Sequence, residues 1–313
     1  MKHQIFALAV AALSFTACTN EDNISQDFLA DTPIKLNVSV DEPTTRAGYS
    51  DADKPTGFVL EVVNHNADKY NYLVWAKKVG DSWKTYKPDE TLKGGTDEEV
   101  TMLWANMNDK VDVTAFTNIG TITIPTDQTS DDQLKEADVL YMPFTKYTPT
   151  NKGITVNLQH AMSKINLTIE LGNEFEFTKD ICKKITDVKI DGSSVSGDLG
   201  SGGIYDVSDD PTPIFPYRTG TTPYSKTNGV ITKASATYEA ILIPQTIASG
   251  KFTVSFKVDG KLYEWAYNQD LTLAPSTAYT LKLIAGDDKV QPVSFSVAEW
   301  GKGNGDGEKK ETD

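Results

Sequence analysis

Apolar and polar residues alternate with a period of two through much of this chain, and the alternation starts early. Ile34, Leu36, Val38 and Val40 fall on one side of an extended segment, with Lys35, Asn37 and Ser39 on the other. That is the pattern of a half-buried β-strand. Pro43 ends it, because proline has no N–H to give to a sheet ladder. Similar strand signals recur at 57–63, 70–75, 79–87, 100–104, 111–116, 154–158, 165–171, 186–190, 238–243, 252–258, 262–267, 279–283 and 293–297. Turn chemistry separates them: His65-Asn66-Ala67-Asp68, the pair Gly94-Gly95, and Asp259-Gly260, which predicts a type I′ hairpin. Ser130-Asp131-Asp132-Gln133 is a capping-box pattern and predicts a short helix over 131–137. Residues 193–229 are rich in Ser, Gly, Pro and Thr and read as long connections. About fifteen short strands without α/β alternation predict an all-β protein built of sandwiches. No repeat of the length used by propellers and solenoids is present.

Length and charge narrow this further. A chain of 313 residues is long enough for two domains. Its net charge of −14 argues against nucleic acid as a partner and against electrostatic docking on anionic lipid. The first residues form a targeting segment, with Lys2 as a basic start and an apolar run over 5–13 too short to span a bilayer. Phe15-Thr16-Ala17-Cys18 then reads as a lipoprotein cleavage box with Cys18 as the lipidated residue, although Leu is more usual where Phe15 stands. Cleavage by an ordinary signal peptidase is the alternative. With Cys18 lipidated only Cys182 remains, so no intrachain disulfide is expected.

Candidate chemistry is sparse. Of three histidines, His3 lies in the targeting segment, His65 in a turn and His160 just before a strand. No His/Cys cluster has metal spacing, and no phosphate loop, nucleophile elbow or zinc-protease motif occurs. Residues 304–308 lack the ligand spacing of a calcium loop. No catalytic residue, metal or cofactor is therefore assigned, while carboxylate pairs set only in space stay open. Trp75, Trp83, Tyr86 and Trp104 suit either a sugar-stacking platform or sheet packing. Arg46, in the run Thr44-Thr45-Arg46-Ala47-Gly48, is placed where a trypsin-like protease could cut.

Several stretches together resemble the fimbrillin-like family, the subunits of type V pili in anaerobic Gram-negative bacteria. Leu158-Gln159-His160-Ala161-Met162-Ser163-Lys164-Ile165 resembles that family's apolar-x-His-x-x-Ser-Lys-apolar stretch. Ala240-Ile241-Leu242-Ile243-Pro244-Gln245 resembles its strand ending in Pro-Gln, and Val297-Ala298-Glu299-Trp300 its closing apolar-x-x-Trp. Thr45-Arg46-Ala47 is similar to its processing site. In Leu273-Ala274-Pro275-Ser276-Thr277-Ala278-Tyr279 the Pro-Ser pair stands where the family usually has Gly, a change expected to alter the turn but not the following strand. Glu21 and Asp22 resemble a surface-export signal of lipoproteins in some of these bacteria. The resemblance runs from Cys18 to Trp300, and within it His160 reads as a packed structural residue.

The resemblance implies two transthyretin-like β-sandwich domains in tandem: a signal peptide over 1–18, a tether and removable first strand over 19–46, an N-terminal sandwich over 47–157, a C-terminal sandwich over 158–300 and a tail over 301–313. It implies an outer-membrane lipoprotein precursor that reaches the cell surface and the fimbrium. An Arg-specific surface protease would cut between Arg46 and Ala47 and release the strand of Ile34, Leu36, Val38 and Val40. A strand of a neighbouring pilus subunit, with Val293, Phe295 and Val297 as the donor candidate, would then fill the groove. Arg46 favours a stalk or tip subunit over an anchor. A host glycan or protein ligand is a further expected partner. Two other readings are a monomeric, surface-anchored glycan-binding lipoprotein and a hydrolase on a β-sandwich scaffold.

Overall fold

The computed structural model describes residues 30–40, 48–50, 52–172, 175, 181–200, 203–227, 230–286 and 290–300, and within these the side chains at all positions but 205 and 223–233. It is mostly β, with several sheets and one short α-helix. The first strands are β1 (Leu36–Val40), β2 (Gly57–Asn64), β3 (Tyr72–Val79), β4 (Ser82–Pro88), β5 (Gly95–Glu99), β6 (Val111–Phe116) and β7 (Gly120–Thr123). Helix α1 (Asp131–Ala137) leads to β8 (Leu140–Tyr147), β9 (Ile154–His160) and β10 (Ser163–Leu171). There follow β11 (Ile185–Asp191), β12 (Ser196–Gly200), β13 (Gly203–Tyr205), β14 (Tyr217–Thr227) and β15 (Val230–Leu242). The last are β16 (Thr246–Ile247), β17 (Thr253–Val258), β18 (Lys261–Ala266), β19 (Leu271–Thr272), β20 (Thr277–Ala285) and β21 (Val290–Glu299).

Eight strands form one sheet in the order β1-β9-β8-β6-β2-β3-β4-β5. Strand β8 follows β6 along its length but meets β9 only at Leu140↔His160 and Tyr141↔Gln159. The sheet splits there, and the β1–β9 pair folds over the rest until β1 touches β4. A first hydrophobic core fills the space, with Phe58, Leu60, Trp104, Ile154, Val156 and Leu158 at its centre. A second sheet, β14-β15-β10-β20-β21, shares the second core with the three-stranded sheet β11-β17-β18. Its central strand β10 runs antiparallel to β15 and parallel to β20, and buries Ile165, Leu167 and Ile169.

The two cores meet across one strand. All six residues of β6 are buried. Alternation sends Val111, Val113 and Ala115 into the first core and Phe116 into the second. Tyr141, paired with Phe116, goes the same way, as do Ile122, Ile124, Leu134 and Val139. The second core is thus built partly from chain that precedes residue 158.

Local signals explain most elements. Ser130 Oγ accepts from Gln133 N–H at 3.3 Å and Gln133 Oε1 from Ser130 N–H at 3.2 Å, the capping box that starts α1. Asp259 and Gly260 have φ of +50° and +87° and join β17 to β18, as a type I′ turn requires. Several stretches differ from the sequence pattern, among them β5, which starts in the Gly94-Gly95 turn, and β7 and β8, which carry no strand signal. The low-periodicity segment 193–229 contains β12, β13 and β14. Residues 100–104 form no regular strand; Met102 and Trp104 turn into the first core while their backbone pairs with residues 31–34.

Phe58→Ala should lower unfolding stability by about 3–5 kcal/mol, since it empties a fully buried aromatic site; urea denaturation measures this. A second expectation concerns alkaline pH. Burial raises the phenols of Tyr49, Tyr72, Tyr141, Tyr147, Tyr238 and Tyr279 above 10.0. Above that pH the unfolded chain ionises while the native phenols stay protonated. The native state then binds more protons, so stability falls as pH rises through and beyond about 10. Urea midpoints should decline there in steps that Tyr238→Phe makes smaller.

Candidate functional site at the first strand and the joint behind it

Strand β1 lies at the end of its sheet and, among the described residues, pairs in parallel with β9 alone, from Leu36↔Ile154 to Val40↔Leu158. Its apolar side faces the core. Val40 is buried, and Ile34, Leu36 and Val38 are half-buried against the first core. Residues 31–34 add a short ladder on the other side: Asp31 N–H donates to the Trp104 carbonyl, Ile34 N–H to that of Met102, and Trp104 N–H to that of Thr32, each at 2.9 Å. Gly153 makes the docking possible. It has φ of +83°, and a Cβ there would run into the Lys35 carbonyl, which accepts from Ile154 N–H at 2.8 Å. Without β1, the fully buried Ile154, Val156 and Leu158 would lie at an open sheet edge.

Behind β1 sits a buried polar joint. His160, the last residue of β9, bonds through Nδ1 to Asp138 Oδ1 at 2.8 Å, and both side chains are sealed from solvent. The imidazole stacks on the Trp300 indole with centroids 4.0 Å apart and planes 6° from parallel. Ser276 ties the same place together: its Oγ donates to the His160 carbonyl at 2.6 Å and its carbonyl accepts from Trp300 N–H at 2.7 Å. Ser276 itself has φ of +51°, so the Pro-Ser turn holds the left-handed conformation that glycine usually supplies, and β20 follows intact. Lys164 Nζ lies 2.9 Å from Glu239 and 5.7 Å from the Trp300 ring centre. Burial pushes its ammonium below the usual lysine range, and the Glu239 charge opposes that shift. The His160, Lys164 and Trp300 of the sequence motifs thus converge here, and Ser163 Oγ nearby in the chain donates to the Ala274 carbonyl at 2.7 Å. Asp138 carried no sequence signal; only the meeting of β8 with β9 reveals it.

The other singled-out residues lie elsewhere. Cys18, Arg46 and Ala47 fall outside the described residues. Strand β21 is an edge of the second sheet, paired among the described residues only with β20. Phe295 packs on Tyr267 and Tyr279, with ring centroids 5.1 and 6.1 Å away, whereas Val293 and Val297 are 49% and 57% exposed. The four aromatics at 75, 83, 86 and 104 form no common platform. Trp104 is buried, Trp83 packs on Phe58 at 5.1 Å, and Trp75 is pressed against Gly57 and Gly95. Only Trp75 and Tyr86 are cross-strand neighbours. No group of three or more metal-ligating side chains occurs among the described residues.

Sheets, a core face closed by an edge strand, and a sealed polar joint between two cores are the makings of a structural protein. A family model described as Fimbrillin-like matches residues 45–300, and the chain belongs to that family, a class of fimbrial proteins that are structural and not enzymes. Among solved structures, a candidate cell adhesion protein from Bacteroides ovatus shares the fold with a TM-score of 0.57. It is 15% identical, over 87% of this chain and 99% of that one. A candidate cell adhesion protein from Bacteroides uniformis has a TM-score of 0.52 and 16% identity, over 86% of this chain and 98% of the other. The C-terminally truncated tip fimbrial protein Mfa3 from Porphyromonas gingivalis is 9% identical over 86% of this chain and 100% of that one, with a TM-score of 0.44. No curated protein matches the sequence.

Lys164→Met leaves the Glu239 carboxylate without its cation and should cost about 3–5 kcal/mol, whereas Lys164→Met with Glu239→Leu should recover most of the loss; chemical denaturation of the three proteins checks this. Gly153→Ala should loosen β1 selectively. Amides of residues 36–40 should exchange with solvent faster while those of β10 keep their protection.

Proposed function

We propose that this chain is a structural and adhesive pilus subunit that polymerises by protease-triggered donor-strand exchange. The observation that carries the reading is the way β1 is held: one parallel partner strand, a half-buried apolar side, and Arg46 six residues beyond its end. In this reading two transthyretin-like sandwiches follow one another, Cys18 carries the lipid that anchors the precursor in the outer membrane, and an Arg-specific protease cuts after Arg46. The cut ends the advantage of covalent attachment. A tethered strand has a high effective concentration, and a severed one competes on equal terms with a strand from outside. A neighbour's strand then supplies alternate apolar residues to the groove of Ile154, Val156 and Leu158. Full burial of each is worth roughly 1.5–3 kcal/mol, so several are needed. Val293, Phe295 and Val297 have the required period on a free edge close to the C-terminal end of the described chain.

Trypsin treatment followed by days of incubation and size exclusion tests this. Cut protein should form polymers and uncut protein should stay monomeric. Arg46→Ala should block cleavage and assembly without unfolding. Phe295→Asp with Val297→Asp should allow cleavage but stop assembly, because an unpaired buried charge is costly. Cut protein that remains monomeric would remove donor-strand exchange as the mechanism and favour an anchored glycan-binding lipoprotein, which a glycan array would then test.

A further inference from the structure

The joint also receives the first described residues beyond Arg46. Gly48 is buried with φ of +92°. A Cβ there would stand 2.5 Å from Asp138 Oδ2 and 3.4 Å from Trp300 Cζ2. The next amide, Tyr49 N–H, donates to that same Oδ2 at 2.7 Å, and the Tyr49 ring packs on the first core. Ser50 and Asp53 exchange backbone hydrogen bonds at 3.1 Å, and Lys135 of α1 holds Asp53 at 2.6 Å. From the other side, β1 stops at Val40 beside Leu158, two residues before His160 on the same strand. The chain therefore approaches one joint from both sides of residues 41–47. One side is held by an edge ladder, the other by a buried carboxylate.

We propose that Asp138 is the positioning residue that separates the part of the chain able to leave from the part that stays. Its Oδ1 is engaged by His160 and its Oδ2 by Tyr49, so one carboxylate seats Gly48 and Tyr49 between the two cores. Amide bonds to a carboxylate are charge-assisted and short, which suits a permanent hold. A cut N-terminal to Gly48 frees β1 while the new chain end stays in the joint. Without that hold, the loss of β1 would also draw Tyr49 off the first core as the groove opened. The inference rests on the reading of Arg46 as a processing site, but the clamp is measurable without any cut.

The first measurement is amide hydrogen exchange on the uncut full chain, comparing wild type, Asp138→Ala and Gly48→Ala. Tyr49 should exchange about tenfold faster or more in both variants while β10 amides keep their protection. Gly48→Ala keeps both side chains of the Asp138–His160 pair in the chain, so it decides the matter if Asp138→Ala does not fold. The second measurement exposes the trypsin-cut proteins to an aminopeptidase and reads the ends by intact mass. Trimming of wild type should halt at Gly48, and trimming of the variants should pass Tyr49. A Tyr49 amide that exchanges fast in wild type, or at one rate in all three proteins, overturns the clamp. So does equal trimming past Tyr49. Failure of trypsin to cut at Arg46 sinks the processing reading alone, since the first measurement still decides the clamp.

Discussion

The pairing of Asp138 with His160 is the contact on which the arrangement of this molecule depends. A charged or strongly polar group sealed from water is tolerated only when its bonding capacity is used. Here that requirement gathers four separate segments: the chain entering β8, the end of β9, the end of β21 through Trp300, and residues 48–49. Removing any one leaves the others with a buried polar atom or an open face. The ion pair of Lys164 with Glu239 extends the polar contacts across β10 and β15 of the second sheet, while Phe116 and Tyr141, carried on strands of the first sheet, pack into the second core.

The free strand edges are treated in opposite ways. Strand β5 exposes all five residues and carries Asp97, Glu98 and Glu99, charges that discourage another strand from adding there. Strand β21 leaves Val293 and Val297 in solvent, and β1 covers an apolar edge of the first core with residues only half-buried themselves. One edge is blunted by charge, and the other two, in different sheets, are left apolar. That contrast suits a protein of the fimbrial class, whose subunits must pair with one another without pairing at random. The fold also places the edge strand β1 next to a sealed polar joint, so local opening at β1 need not spread.

Much of this was legible in the residues alone because strand burial writes itself as alternation. The period of two at 34–40, 165–171 and 279–283 marked β1, β10 and β20, and the capping box at Ser130 marked α1. The Asp259-Gly260 pair marked its hairpin for the same reason, since few dipeptides accept two positive φ angles. Strands β12 to β14 were not legible, because their small and polar residues have no apolar period to display. The 100–104 stretch showed a strand signal but pairs irregularly, through Met102 and Trp104 with residues 31–34 and through Val100 with Thr85.

By itself the sequence determined many of the segments that extend, some of their turns, and the family to which the chain belongs, since these depend on neighbours a few residues apart and on motifs in fixed order. Tertiary structure alone decided which strands became edges, that β6 faces two cores, and that His160 meets Asp138. It also decided that Trp75, Trp83 and Trp104 are spent in packing and form no common surface. The physical reason is distance along the chain. Alternation says that a residue has an inside, but only the closing of sheets over loops of about twenty to more than a hundred residues says what it meets there.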